Sequence, residues 1–113
     1  MECLFCKIVA GEIPVDKVFE TERTLAVRDI HPQASTHVVV VPKEHYPDAA
    51  AMADADPALA GAVLAAAGEI AALEGVAESG YRLVFNTGPD ANQTVFHVHL
   101  HLLGGRPFGW PPG

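Results

Sequence analysis

The sequence predicts an α+β domain built on an antiparallel sheet. Three observations carry this. Five short runs are β-branched or alternate apolar with polar residues. One long stretch of helical periodicity lies between the third and fourth runs. The turns between neighbouring runs are of the hairpin kind, which favours antiparallel pairing. At 113 residues the chain reads as one domain, 1–113, because two halves would each be too small to bury a core.

The elements follow in order. Residues 3–8 form a short turn of helix, broken by Gly11 and Pro14. Residues 18–20 and 24–30 are two strands around the polar turn Thr21, Glu22, Arg23. Residues 36–41 are apolar on both faces, as in a buried central strand, and Pro42 closes it. Asp56 followed by Pro57 starts the long helix: a capping carboxylate, then proline at the first helical position. Leu59, Val63, Ala66, Ile70 and Leu73 recur at three- and four-residue spacing, and Gly75 sits where the helix stops. Residues 81–86 alternate as a fourth strand, and 94–103 read as the fifth. Tyr46, Tyr81, Phe19, Phe85 and Phe96 are expected in the core. Asp54, Asp56, Glu69, Glu74 and Glu78 read as a solvated helix face and its caps.

Composition excludes several functions. Seven basic residues against fourteen acidic ones give a net charge of −7. Such a chain repels phosphate at long range, which excludes bulk binding of nucleic acid or an anionic membrane. No stretch reaches the roughly 18 apolar residues of a membrane span. No basic-then-apolar leader is visible at the N-terminus, so a cytoplasmic location is expected. In such a reducing compartment Cys3 and Cys6 suggest a metal or redox role over a disulfide.

The histidines carry the functional message. Three of six lie at 97, 99 and 101. On a strand these share one face, about 6.6 Å apart, while Phe96, Val98, Leu100 and Leu102 turn to the core. Three imidazolium cations on one face would repel, so most are expected neutral near pH 7. Neutral imidazoles are nucleophiles, general bases or metal ligands. Spacing leaves a metal site and covalent catalysis both open. The preceding loop, with Asn86, Gly88 and Thr94, is rich in hydrogen-bond donors, as charge on a phosphoryl group requires. No carboxylate cluster for magnesium accompanies it.

The run His97-Val98-His99-Leu100-His101-Leu102-Leu103 resembles the signature of the histidine-triad family. Supporting stretches are 3–8, Gly11-Glu12-Ile13-Pro14, 29–30, 32–34, 36–37, Pro42-Lys43-Glu44-His45, 103–106 and Trp110-Pro111-Pro112-Gly113. Together they resemble the family's Hint branch of nucleotide-binding proteins. The resemblance implies a hydrolase of purine nucleoside 5′-phosphoramidates that needs no magnesium for its chemistry. His99 would be the nucleophile, with its Nδ1 proton held by the His97 carbonyl. His101 would contact phosphate and help the leaving group depart, and His37 would support the others. Asn86 and Gln93 would line the phosphate and ribose region, Thr94 would assist the leaving amine, and Asp29 would bind the ribose. Phe5, Ile8, Ile13 and Ile30 would enclose the base. The resemblance also implies a homodimer, with the Trp110 tail near the partner's site.

One departure is Asn92, at a position commonly glycine in the family. Asparagine is the next most tolerant residue if the backbone there needs positive φ. The Cys3/Cys6 pair reads as half a zinc site, with His31, His37, His45, His97, His99 and His101 as candidate partners. The resemblance selects His45 and His97. Rival readings are a dinucleoside polyphosphate hydrolase, a non-catalytic nucleotide-binding scaffold, and a metal sensor.

Overall fold

A computed structural model describes residues 3–113. The elements are α1 (Leu4–Val9), β1 (Lys17–Glu20), β2 (Thr24–Arg28), β3 (Thr36–Pro42), α2 (Ala49–Ala55), α3 (Pro57–Leu73), β4 (Tyr81–Phe85) and β5 (Leu100–Gly104). The five strands form one sheet in the order β1-β2-β3-β5-β4, and every neighbouring pair is antiparallel. The α+β expectation therefore holds.

β3 is the central strand, and all seven of its residues are buried. Its alternation feeds two cores. Val38 and Val40 join Ala26, Leu100 and Leu102 on one face, where α3 supplies Leu59, Val63, Ala66, Ala67 and Ile70. Val39 and Val41 join Leu25 and Val27 on the other face, beneath Phe5 and Ile8 of α1. Burying such residues stabilises by roughly 1.5–3 kcal/mol each for the larger aliphatics. His37 and His101 lie on the α1 face: His37 shares the parity of Val39, and Val39 pairs with His101.

α3 begins and ends where its caps require. The Asp56 carboxylate accepts the Leu59 N–H at 3.1 Å. Gly75, at φ 75°, takes the left-handed conformation that stops the helix. Asp56 and Glu74 are not merely solvated. Asp56 pairs with Arg23 at 2.6 Å, and Glu74 holds the Arg28 guanidinium through two bonds of 2.7 and 2.9 Å. Arg23 also pairs with Glu44.

Four expectations need correction. A further helix, α2, precedes α3, capped by Asp48 at the Ala51 N–H. β2 ends at Arg28, not at residue 30, because Asp29 starts a turn by accepting the His31 N–H at 2.8 Å. β5 begins at Leu100, not at residue 94: pairing with both neighbours stops at Leu100, and the Val98 N–H turns aside to the Tyr46 carbonyl at 2.7 Å. Phe96 and Tyr81 are exposed, Phe96 at 55%, because one lies on that unpaired segment and the other on the edge strand β4. No helix among the described residues is long and apolar enough to cross a membrane.

Candidate functional site

Two polar clusters flank Phe5 on the α1 face. The first joins Cys3 and Cys6, at the start of α1, to His45 beyond β3 and His97 before β5. His97 is fully buried. Its Nε2–H donates to the Pro42 carbonyl at 2.9 Å, so its Nδ1 carries a lone pair. That Nδ1 lies 3.1 Å from His45 Nδ1, 3.4 Å from Cys3 Sγ and 3.6 Å from Cys6 Sγ, and Cys6 Sγ lies 3.4 Å from His45 Nδ1.

These spacings test the fit of a zinc ion. Tetrahedral zinc, with bonds of about 2.3 Å to sulfur and 2.05 Å to nitrogen, sets S···N edges of about 3.6 Å and an N···N edge of about 3.3 Å. Every measured edge agrees within about 0.2 Å. The Pro42 carbonyl also provides the outer hydrogen bond that orients a ligating imidazole. The donor set fits the ion. Burial, followed by the adjacent Cys3 sulfur, pushes the Cys6 thiol up.

The second cluster contains His99, His101, His37 and Asp29. Main-chain partners assign its tautomers. The His99 Nδ1–H donates to the His97 carbonyl at 2.8 Å, which leaves the lone pair on Nε2. The Gln33 N–H donates to His37 Nδ1 at 3.0 Å, so the proton of His37 sits on Nε2. That proton is donated to His101 Nδ1 at 2.9 Å. His101 therefore carries its own proton on Nε2. The site pairs a free imidazole lone pair with an imidazole N–H donor, their rings 5.1 Å apart.

The surroundings favour the neutral form of three of the imidazoles, His101, His37 and His97. Burial lowers the His101 pKa to about 4, and the neighbouring His99 and His37 push the same way. Burial likewise lowers the pKa of His37, against the pull of Asp29, and of His97. Asp29 Oδ2 lies 3.4 Å from His37 Nε2 and 3.9 Å from His101 Nδ1. Asp29, His37 and His101 are close enough to resemble a metal site. Their tautomers oppose it, since the Gln33 N–H keeps a proton on the His37 Nε2 that would have to ligate.

The remaining expected residues fall around this centre. Phe5 packs 5.0 Å from the His99 ring and 5.8 Å from that of His97, between centroids. Ile8 and half-buried Ile13 continue its apolar cluster. Ile30, 87% exposed, stands at the rim of a cleft of about 580 Å³ shared with Pro14, Val15, Asp16, Arg28 and Asp29. Asn86 and Thr94 make no side-chain hydrogen bond within the described residues, so their donors are open to a ligand. Gln93 is buried, and its NH₂ donates to the Pro47 and Val95 carbonyls at 2.7 and 3.1 Å, while its oxygen accepts the Gly88 N–H at 2.9 Å. It has no N–H left for phosphate or ribose and acts as a brace for the loop. Asn92 does take positive φ, at 62°.

The sequence reading missed Gln33, Pro42 and Tyr46, which act through main-chain atoms. Only their place within short motifs beside His37, His45 and Asp29 hinted at them. The triad also differs from its expected form: His97 lies off the strand and turns its ring to the cysteines, while His99 and His101 face each other.

A family model for the HIT domain matches residues 10–108. The chain belongs to the HIT family. This HIT chain is 43% identical over 108 residues to the purine nucleoside phosphoramidase of Escherichia coli K12, covering 96% of this chain and 91% of that protein. It is 45% identical over 112 residues to a 14 kDa zinc-binding protein of Zea mays, covering 97% and 87%. Among solved structures, the crystal structure of a HIT family hydrolase from Legionella pneumophila superposes with a TM-score of 0.95 at 51% identity, covering 99% of this chain and all of that one.

Proposed function

We propose that this HIT protein is a hydrolase that cleaves the P–N bond of purine nucleoside 5′-phosphoramidates through a covalent nucleotidyl intermediate on His99. The observation that carries the reading is the pair of opposed tautomers, a lone pair on His99 Nε2 beside an N–H on His101 Nε2. The similarity to the Escherichia coli phosphoramidase supports the substrate class.

His99 Nε2 attacks the α-phosphorus. The Nε2–P bond forms as the P–N bond breaks, and the departing amine takes a proton from solvent water through the exposed Thr94 hydroxyl. His101 Nε2–H donates to the non-bridging oxygens, whose charge grows in the transition state. The adduct is an imidazolium, and the His97 carbonyl on Nδ1–H stabilises its positive charge. Water then attacks phosphorus, loses a proton and releases the nucleoside monophosphate, returning His99 neutral. Two easier steps replace one hard substitution. Phe5, Ile8, Ile13 and Ile30 supply an apolar wall for the base, Asp29 accepts from the ribose, and Asn86 contacts the phosphate.

Cys3, Cys6, His45 and His97 hold a zinc ion in this reading, in line with the similarity to the Zea mays zinc-binding protein. The ion supplies a structural cross-link, since four protein ligands leave no open position. The exposed edge strand β4, with Tyr81 and Leu83 outward, is the surface on which a second copy pairs to form a homodimer. The cytoplasm is the proposed location.

The test is turnover of adenosine 5′-phosphoramidate to the monophosphate and ammonia. Wild type turns over, and His99→Ala loses at least about a thousandfold in kcat while still binding the monophosphate. Tight binding without turnover in the wild type would instead identify a nucleotide-binding scaffold.

A further inference from the structure

Gln93 is buried, yet the proposed chemistry does not use it. Its amide is fully engaged by main chain. One N–H donates to the Pro47 carbonyl at 2.7 Å and the other to the Val95 carbonyl at 3.1 Å, while the oxygen accepts the Gly88 N–H at 2.9 Å. The main-chain N–H of Gln93 returns a bond to the Gly88 carbonyl at 3.0 Å. One side chain thus joins three stretches of chain, around residues 47, 88 and 95.

The last of these stretches carries His97 and His99 outside the sheet. β5 begins at Leu100, and the ladders to β3 and β4 start there. Upstream of that point, carbonyls between residues 42 and 47 take over. Pro42 accepts the His97 Nε2–H at 2.9 Å, Tyr46 accepts the Val98 N–H at 2.7 Å, and Pro47 accepts the Gln93 amide. The Tyr46 and Pro47 carbonyls follow one another in the chain. The pyrrolidine ring locks φ between them, so ψ of Pro47 is the one soft rotation separating their planes. Anchoring one carbonyl restrains the other.

The Val98 N–H and the His97 carbonyl are the two ends of a single planar peptide unit. The N–H end is bonded to Tyr46, and the carbonyl end accepts the His99 Nδ1–H at 2.8 Å. A peptide unit that tilts away from Tyr46 swings its carbonyl away from His99. The neutral imidazole then also places its proton on Nε2, the atom that must attack.

We propose that Gln93 is a positioning residue for His99: its amide, clamped between the Pro47 and Val95 carbonyls, holds the His97–Val98 peptide unit that selects the attacking tautomer. This rests on the reading of His99 as nucleophile. Gln93 touches no substrate group in this role, unlike the phosphate or ribose contact that the family resemblance implies.

The experiment uses the full chain, labelled with ¹⁵N, as wild type, Gln93→Met, Gln93→Glu and Pro47→Ala. Met removes the amide at similar length. Glu keeps an oxygen for the Gly88 N–H but sets a carboxylate against two carbonyls. Pro47→Ala frees φ and removes no hydrogen-bonding group, so it tests the same linkage in a protein with its buried amide intact. Amide exchange of Val98, the ¹⁵N signature of the His99 tautomer, and kcat and KM for adenosine 5′-phosphoramidate are read on each. In wild type the Val98 N–H is protected and His99 is a single Nδ1–H tautomer. In both Gln93 variants Val98 exchanges at least about tenfold faster, the Nε2–H form of His99 appears, and kcat falls about 10- to 100-fold with KM within about twofold. Pro47→Ala shifts the same readouts in the same direction by smaller factors. The proposal is overturned if folded variants keep wild-type Val98 exchange and His99 tautomer, or if KM rises while kcat holds, which would make Gln93 a substrate contact. The exchange and tautomer signals do not depend on turnover. Both responding in a protein that hydrolyses no phosphoramidate would refute the proposed reaction and keep the positioning role.

Discussion

Protonating His101 should cost this fold stability in a defined pH window. Its Nδ1 accepts the His37 Nε2–H at 2.9 Å, so a proton there would set N–H against N–H. Burial, then the neighbouring His99 and His37, holds the folded pKa at about 4, against 6.5 for the free side chain. The unfolded chain therefore binds the proton first. Stability is fully present above pH 6.5 and is lost as pH falls from 6.5 to about 4. A displacement of that size corresponds to about 3 kcal/mol. The His101 side chain is 19% exposed, and solvent screening brings the expected loss to about 2 kcal/mol. Urea unfolding of wild type and His101→Asn at steps from pH 7.5 to 4 measures it. The cysteine cluster and the other titratable groups are common to both proteins, so the difference between them reports on the His37–His101 pair. The wild-type curve should fall about 2 kcal/mol more than that of the variant. Parallel curves would refute the assignment of a neutral His101 accepting from His37.

Other substitutions probe the frame that carries the site. Asp56→Ala should cost about 1–2 kcal/mol in urea unfolding, losing both the α3 cap and the Arg23 pair, while Asp56→Asn keeps the cap and costs under about 1 kcal/mol. Leu59→Ala, at a fully buried core position, should cost about 3 kcal/mol by the same assay. Asn92→Val should lose about 1–2 kcal/mol at φ 62°, and Asn92→Gly should match or exceed wild type, with unfolding midpoints as the readout.

The sheet was legible because its residues repeat locally. Thr36 to Val41 is apolar on both faces, as a central strand must be, and Asp56 with Pro57 marks a helix start by cap chemistry alone. α2 escaped notice because its seven residues, six of them alanine or methionine, bury only Met52 and show no amphipathic contrast. The start of β5 was misread for an instructive reason. Alternation at 97, 99 and 101 follows a strand period, yet His97 and His99 both precede the ladder, where the Val98 N–H bonds to the Tyr46 carbonyl instead, a tertiary contact that local periodicity does not contain. Phe96 and Tyr81 were assigned to the core by residue type, while the edge position of β4 and the unpaired segment at Phe96 leave both outside. The identities of the polar side chains around the site were readable. Their partners were not, since the Gln33 N–H and the Pro42 and His97 carbonyls belong to the main chain and every residue type offers them.

Rapid-quench intact-mass spectrometry during turnover of adenosine 5′-phosphoramidate tests the central claim most directly. Wild type should gain one adenylyl group within the first turnover, located on His99 and lost as monophosphate accumulates. The His99→Ala variant should carry none. Wild-type turnover with no adduct at any quench time, or an adduct that persists in His99→Ala, would contradict covalent catalysis by His99.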